Sequence, residues 1–119
     1  MTWFAAHVIM YISVKDGKQE TYPVWENVIL VEAETDAAAR TKAEGYGREA
    51  EGDDRGTFRW GQRPASWVFA GVRKVVRCDS HPDQPGDGTE ITYTDIVVDT
   101  LDAVRDLAAG RRVPLKEYD

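Results

Sequence analysis

Between Phe4 and Val14 every even position is apolar, namely Phe4, Ala6, Val8, Met10, Ile12 and Val14. Six apolar side chains at a spacing of two place one continuous face of a β-strand in a core and leave the odd positions on the other face. No helix presents such a set on one side, so the chain must build a sheet with one fully buried face. Lys15-Asp16-Gly17-Lys18 follows, and Asp-Gly suits the left-handed backbone of a tight hairpin turn. A second strand is expected from about Glu20 to Glu32. With Asp16 and Gly17 as turn residues, the register sets His7 against Glu26, Tyr11 against Tyr22 and Trp3 against Leu30 on one face. The other face then sets Phe4 against Ile29 and Val8 against Trp25. Pro23 cannot donate to the ladder, which predicts an edge position or a bulge there.

Thr35 is an N-cap candidate, Asp36 suits the positive end of the helix dipole, and Ala39, Ala43, Tyr46 and Ala50 recur at helical spacing. The stripe is narrow and mostly alanine, so the helix can approach the sheet closely. Gly45 and Gly47 each weaken a helix by about 1 kcal/mol relative to alanine, which predicts fraying after Lys42. A loop at 51–56, a short strand at 57–60, a turn at 61–64 and a strand over 66–78 come next. Asp79 to Gly88 has loop composition, and Thr89 to Val98 returns to β-branched and aromatic residues. Asp99 or Thr100 then caps a final helix whose Leu101, Val104, Leu107 and Ala108 share one face before Gly110 ends it.

The expected fold is α+β: an antiparallel sheet of four or five strands with two helices packed on one face. The order is strand, strand, helix, an optional short strand, strand, strand, helix. Residues 1–110 form a single domain and 111–119 a loosely held C-terminal tail. A chain of 119 residues buries roughly two thirds of its unfolded surface, enough for one core without disulfides or metal. The single cysteine, Cys78, forms no internal disulfide, and the N-terminus lacks the pattern of a signal peptide, so a cytoplasmic location is expected. The first apolar run is broken by His7, Tyr11 and Ser13, short of the about 20 residues that a membrane span needs.

Four segments together resemble a known family. They are Trp3-Phe4-Ala5-Ala6, the run Ile29 to Thr35 leading into Ala39 and Ala43, the strand Trp67-x-Phe69-x-Gly71-Val72, and the turn Asp87-Gly88-Thr89-Glu90. In this order they are similar to the bacterial domain of unknown function 4288, over residues 3 to about 95. The resemblance implies a small bacterial α+β domain and carries no catalytic residues.

Chemical motifs are sparse. Cys78-Asp79-Ser80-His81-x-Asp83 gathers potential ligands, but tetrahedral zinc wants four and the other histidine, His7, is distant. No glycine-rich phosphate loop occurs. No metal and no cofactor is therefore expected. A carboxylate beside an imidazole can orient a general base, so His7 and Glu26 would carry any small enzyme activity, although no nucleophile accompanies them.

Charge is more informative. The net charge of −6 averages three segments: residues 32–54 hold eight acids and three bases, 55–77 six bases and no acid, and 79–106 eight acids and one base. The basic stripe Arg55, Arg59, Arg63, Arg73, Lys74 and Arg77 is interleaved with Phe58, Trp60, Trp67 and Phe69, the mix used to grip single-stranded nucleic acid. Acidic neighbours in the fold can equally neutralise it, and an acidic chain is repelled by phosphates.

The leading expectation is a non-catalytic protein-interaction module, as a homodimer or with another protein, of the inhibitor or immunity type. Helices cover one sheet face and leave Trp3, His7, Tyr11, Tyr22 and Glu26 on the other. Nucleic-acid binding through Arg55, Arg59, Trp60, Arg63, Arg73, Lys74 and Arg77 ranks second, and an enzyme third.

Overall fold

A computed structural model describes residues 2–78 and 85–118. The long first strand, β1 (Thr2–Val14), is followed by β2 (Val24–Ala33), α1 (Asp36–Glu49), β3 (Arg59–Trp60) and β4 (Arg63–Arg77). Beyond them come β5 (Ile96–Val97), α2 (Leu101–Ala108) and β6 (Glu117–Tyr118). The fold is α+β, as expected. Its main sheet is antiparallel with strand order β2-β1-β4-β3, and β5 pairs with β6 in a separate two-stranded ladder.

The even-numbered face of β1 is the core. Phe4, Ala6, Val8 and Met10 pack with Val31 and Ala33 of β2, Val72 of β4, and Ala39 and Ala43 of α1. Thr35 caps α1 through a hydrogen bond from the Ala38 amide to its hydroxyl at 3.1 Å. The helix does not fray after Lys42 but runs unbroken to Glu49. Gly47 explains why: it is buried, and a Cβ at that position would lie 2.4 Å from the Phe69 ring. The missing side chain is filled by an aromatic ring from β4, and that packing offsets the weak propensity.

The hairpin register differs from the expectation by two residues. His7 lies opposite Val28, Ile9 opposite Glu26, Tyr11 opposite Val24 and Trp3 opposite Glu32. Asp16-Gly17 is not a two-residue turn. The connection spans 15–23 and is held by Gln19, whose side chain accepts from the Val14 amide at 3.0 Å and donates to the Ile12 carbonyl at 2.8 Å. Pro23 falls just outside β2, an edge strand. A slip of two keeps every residue on its expected face, whereas a slip of one would invert them all.

Against β1, β4 carries two bulges. The pairing steps from His7–Lys74 to Val8–Val72 and from Ile9–Gly71 to Met10–Phe69, so Arg73 and Ala70 are extra residues. The core-facing positions of β4 are thus Val75, Val72, Phe69 and Trp67, a spacing no strict alternation produces.

The last segment departs most from the expectation. Thr89 to Val98 contributes only Ile96 and Val97 as strand, outside the main sheet. Glu117 and Tyr118, expected in a loose tail, pair with them. α2 is capped by Thr100 as expected, but it buries none of its residues and does not pack against the sheet as α1 does. No helix among the described residues is long and apolar enough to cross a membrane.

Candidate functional site

The odd face of β1 lies opposite the helix. Its centre is His7, only 3% exposed, with hydrogen-bond partners on both ring nitrogens. Nδ1 lies 2.7 Å from Glu26 Oε2 and Nε2 lies 2.6 Å from Thr92 Oγ1. The two-residue register slip makes His7 and Glu26 diagonal rather than opposite neighbours, still within reach across the strands. The same Glu26 oxygen accepts from Arg73 Nη1 at 3.2 Å. Arg73 also stacks its guanidinium 4.7 Å from the centre of the Tyr118 ring, and Lys74 donates to the Tyr93 carbonyl at 2.8 Å. Cys78 Sγ approaches the Ile91 carbonyl at 3.5 Å. The second face is therefore not wholly free: residues 91–93 and Tyr118 lie over its centre.

With Nδ1–H donating to the carboxylate, Nε2 accepts from the Thr92 hydroxyl, so carboxylate, imidazole and hydroxyl stand in hydrogen-bonded series. That order resembles a nucleophile relay. Here the imidazole is buried and both nitrogens are engaged, so the series ties the C-terminal segment to the sheet. Burial raises the Cys78 thiol above its ordinary pKa and keeps it protonated at neutral pH.

The expected contact residues share a face but do not form one site. Trp3 and Tyr11 are eight residues apart along β1, about 27 Å. His7 and Glu26 sit between them under the C-terminal segment. Tyr11 and Tyr22 do meet, edge to face, with ring centres 5.9 Å apart. Beside them Ile9, Tyr11, Tyr22, Val24 and Ala70 line an apolar groove of about 410 Å³ that the C-terminal segment leaves open. Tyr22 and Val24 are 55% and 56% exposed. Parity already places Ile9 on this face. Ala70 arrives through a bulge, and Thr92 and Tyr118 come from segments with no periodic signal.

The basic stripe is dispersed. Arg63 binds Asp16 through its side chain at 3.2 Å and through the Asp16 carbonyl. Arg73 and Lys74 lie under the C-terminal segment, and Arg77 pairs opposite Phe4 at the far end of β4. Arg55 is in the loop before β3, Arg59 and Trp60 are exposed on that edge strand, and Trp60 stands edge-on to Trp25 at 5.9 Å. Arg63 and Arg77 are separated by about 46 Å of strand, so the six cations do not line one groove.

Asp79, Ser80, His81 and Asp83 of the candidate ligand run lie outside the described residues. Among the described residues, no three His, Cys, Asp or Glu side chains gather as a metal-binding group.

These features define a small α+β domain: a four-stranded antiparallel sheet with one helix on its core face and a C-terminal segment crossing the other. Residues 3–93 match the family described as Domain of unknown function (DUF4288), and the chain belongs to that family. The match ends at Tyr93, so β5, α2 and β6 lie beyond it. No curated protein and no solved structure matches the chain.

Proposed function

We propose that this protein is a non-catalytic protein-interaction module whose contact surface is the open part of the second sheet face. The observation that carries the reading is the apolar groove of Ile9, Tyr11, Tyr22, Val24 and Ala70. Aromatic and aliphatic side chains in a concave setting, partly exposed and free of charge, match the centre of a protein contact more closely than a solvated sheet surface. His7, Glu26 and Thr92 support this surface by holding the C-terminal segment at its border. A partner of the inhibited-enzyme type with a basic active site would suit the −6 charge, which speeds encounter with such a surface.

The test places the photo-reactive residue p-benzoylphenylalanine at Tyr22, with the same residue at exposed Glu49 on α1 as control. Irradiation in cells is expected to give a discrete polypeptide adduct from position 22 and none from position 49. Absence of any adduct from position 22, with the protein folded by circular dichroism, would refute the reading. A fluorescent oligonucleotide titrated at low salt discriminates the nucleic-acid alternative. Binding that weakens on Arg59→Ala and Trp60→Ala and steeply with salt would favour it instead.

A further inference from the structure

α2 is an eight-residue helix with both ends capped. Thr100 Oγ1 accepts from the Ala103 amide at 3.0 Å, and Gly110 follows with φ of 81°. Its Leu101, Val104 and Leu107 line one side and are 63%, 47% and 39% exposed. Isolated helices shorter than about 12 residues are marginal in water and take their stability from packing an apolar face. Among the described residues, none buries this one.

The whole chain carries the same mark. Its radius of gyration is 17.5 Å, where a compact body of 119 residues has about 13.5 Å. Its accessible surface is 8465 Å², where a compact monomer of 13.4 kDa exposes about 6,500 Å². The excess, about 2,000 Å², is larger than the roughly 800 Å² per partner that a standard stable interface removes from water.

We infer that the occupant of the Tyr11–Tyr22 groove is α2 of a second copy of this chain, exchanged reciprocally about a two-fold axis. This rests on the sheet face being a contact surface, and it names the partner. The dimensions agree. Leu101 and Leu107 are about 9 Å apart along a helix, and the groove from Val24 on β2 across β1 to Ala70 on β4 spans two strand spacings, about 9.6 Å. Each copy offers one uncovered helix face and one open groove. A two-fold arrangement uses both in both copies and leaves neither exposed. A foreign partner filling the groove would leave α2 bare. The groove also adjoins the part of the sheet that the C-terminal segment already covers, so the exchange extends that cover over the rest of the face.

Sedimentation velocity from 1 to 100 μM tests the inference, with a mass near twice 13.4 kDa expected for the wild type. Val104→Asp spoils the helix face and Ala70→Arg blocks the groove. Both positions are exposed, so each variant is expected to keep its far-ultraviolet spectrum while dimerising at least tenfold more weakly. Mixing the two variants restores one intact helix with one intact groove, and the mixture is expected to associate more tightly than either variant alone. A wild type that stays monomeric at 100 μM, a dimer indifferent to both substitutions, or a mixture no better than its components overturns the inference. If the wild type is monomeric while the Tyr22 probe still captures a different polypeptide, the sheet face remains a contact surface and only the second copy is wrong. If the probe captures nothing as well, both fail.

Discussion

Two glycines in α1, two residues apart, should respond to alanine with opposite signs. At Gly45 a Cβ meets nothing within 4 Å, so Gly45→Ala only removes backbone freedom from the unfolded chain and is expected to stabilise by about 0.8–1 kcal/mol. At Gly47 the same gain is opposed by the Phe69 ring, whose Cδ1 and Cε1 would lie 2.4 and 2.5 Å from the new methyl group. An aromatic ring wedged between helix and sheet cannot yield by rotating one terminal atom. It must shift as a body, or α1 must lift and carry Ala39 and Ala43 away from the sheet, and overpacking of this kind costs about 1–3 kcal/mol. The net for Gly47→Ala is a loss of about 1 kcal/mol, or about 4 °C in Tm for a domain of this size. Urea unfolding followed by helical circular dichroism reads both variants against the wild type at unchanged m-value. A double variant Gly47→Ala, Phe69→Leu should recover part of the loss, because the smaller side chain vacates the clashing volume. If Gly47→Ala proves as stabilising as Gly45→Ala, the close approach of α1 to β4 is wrong.

Thr92→Val leaves His7 Nε2 buried without its partner and should cost about 1–2 kcal/mol, with faster amide hydrogen exchange in residues 89–98 as the local signature. Glu26→Gln weakens the links to both His7 and Arg73 and should show the same exchange signature. The Cys78 thiol, raised by burial, favours the folded state while it is protonated. Its contribution is full below the unfolded thiol value and is lost as pH rises from about 8.5 through the higher folded value, so native Cys78 should resist iodoacetamide until the chain unfolds. Asp53 runs the other way. The Lys15 ammonium, and then the Gly56 amide, hold its carboxyl below the ordinary value, so its contribution is present above about pH 4 and is lost on acidification. Lys15→Met should raise the Asp53 pKa measured by carboxyl-carbon NMR titration.

The buried face of β1 was legible because its period is two and its length is thirteen residues, and no local choice competes with that pattern. The turn was not. Asp16-Gly17 is a strong hairpin signal, yet the chain passes it and turns over 15–23, because Gln19 supplies through its side chain the hydrogen bonds that a continued ladder would have made. A glutamine in a loop carries no such sign in the sequence. The helix over 36–49 was legible from its cap and alanine stripe. Its persistence through Gly45 and Gly47 was not, since the compensating ring belongs to a strand twenty-two residues away. The bulges that carry Arg73 and Ala70 were equally hidden, because period-two reading assumes an unbroken ladder.

The site was half legible for a related reason. Parity alone puts Trp3, His7, Tyr11, Tyr22 and Glu26 on one face, and the structure keeps them there despite the altered register. What parity cannot report is whether a face meets water, its own chain or another molecule. Residues 89–98 are β-branched and aromatic, and such side chains suit lying flat over a sheet as well as joining its edge. They lie over it here: Thr92 and Tyr93 reach His7 and Lys74, and only Ile96 and Val97 form strand. The face is thereby divided into a covered centre, where a histidine is satisfied on both nitrogens, and an open apolar end at Tyr11 and Tyr22. The same segment continues into a helix that the described residues leave unburied. Cover for the sheet and bareness of the helix are two consequences of one chain path, so a second copy that supplies each with the other is the simplest arrangement that completes both.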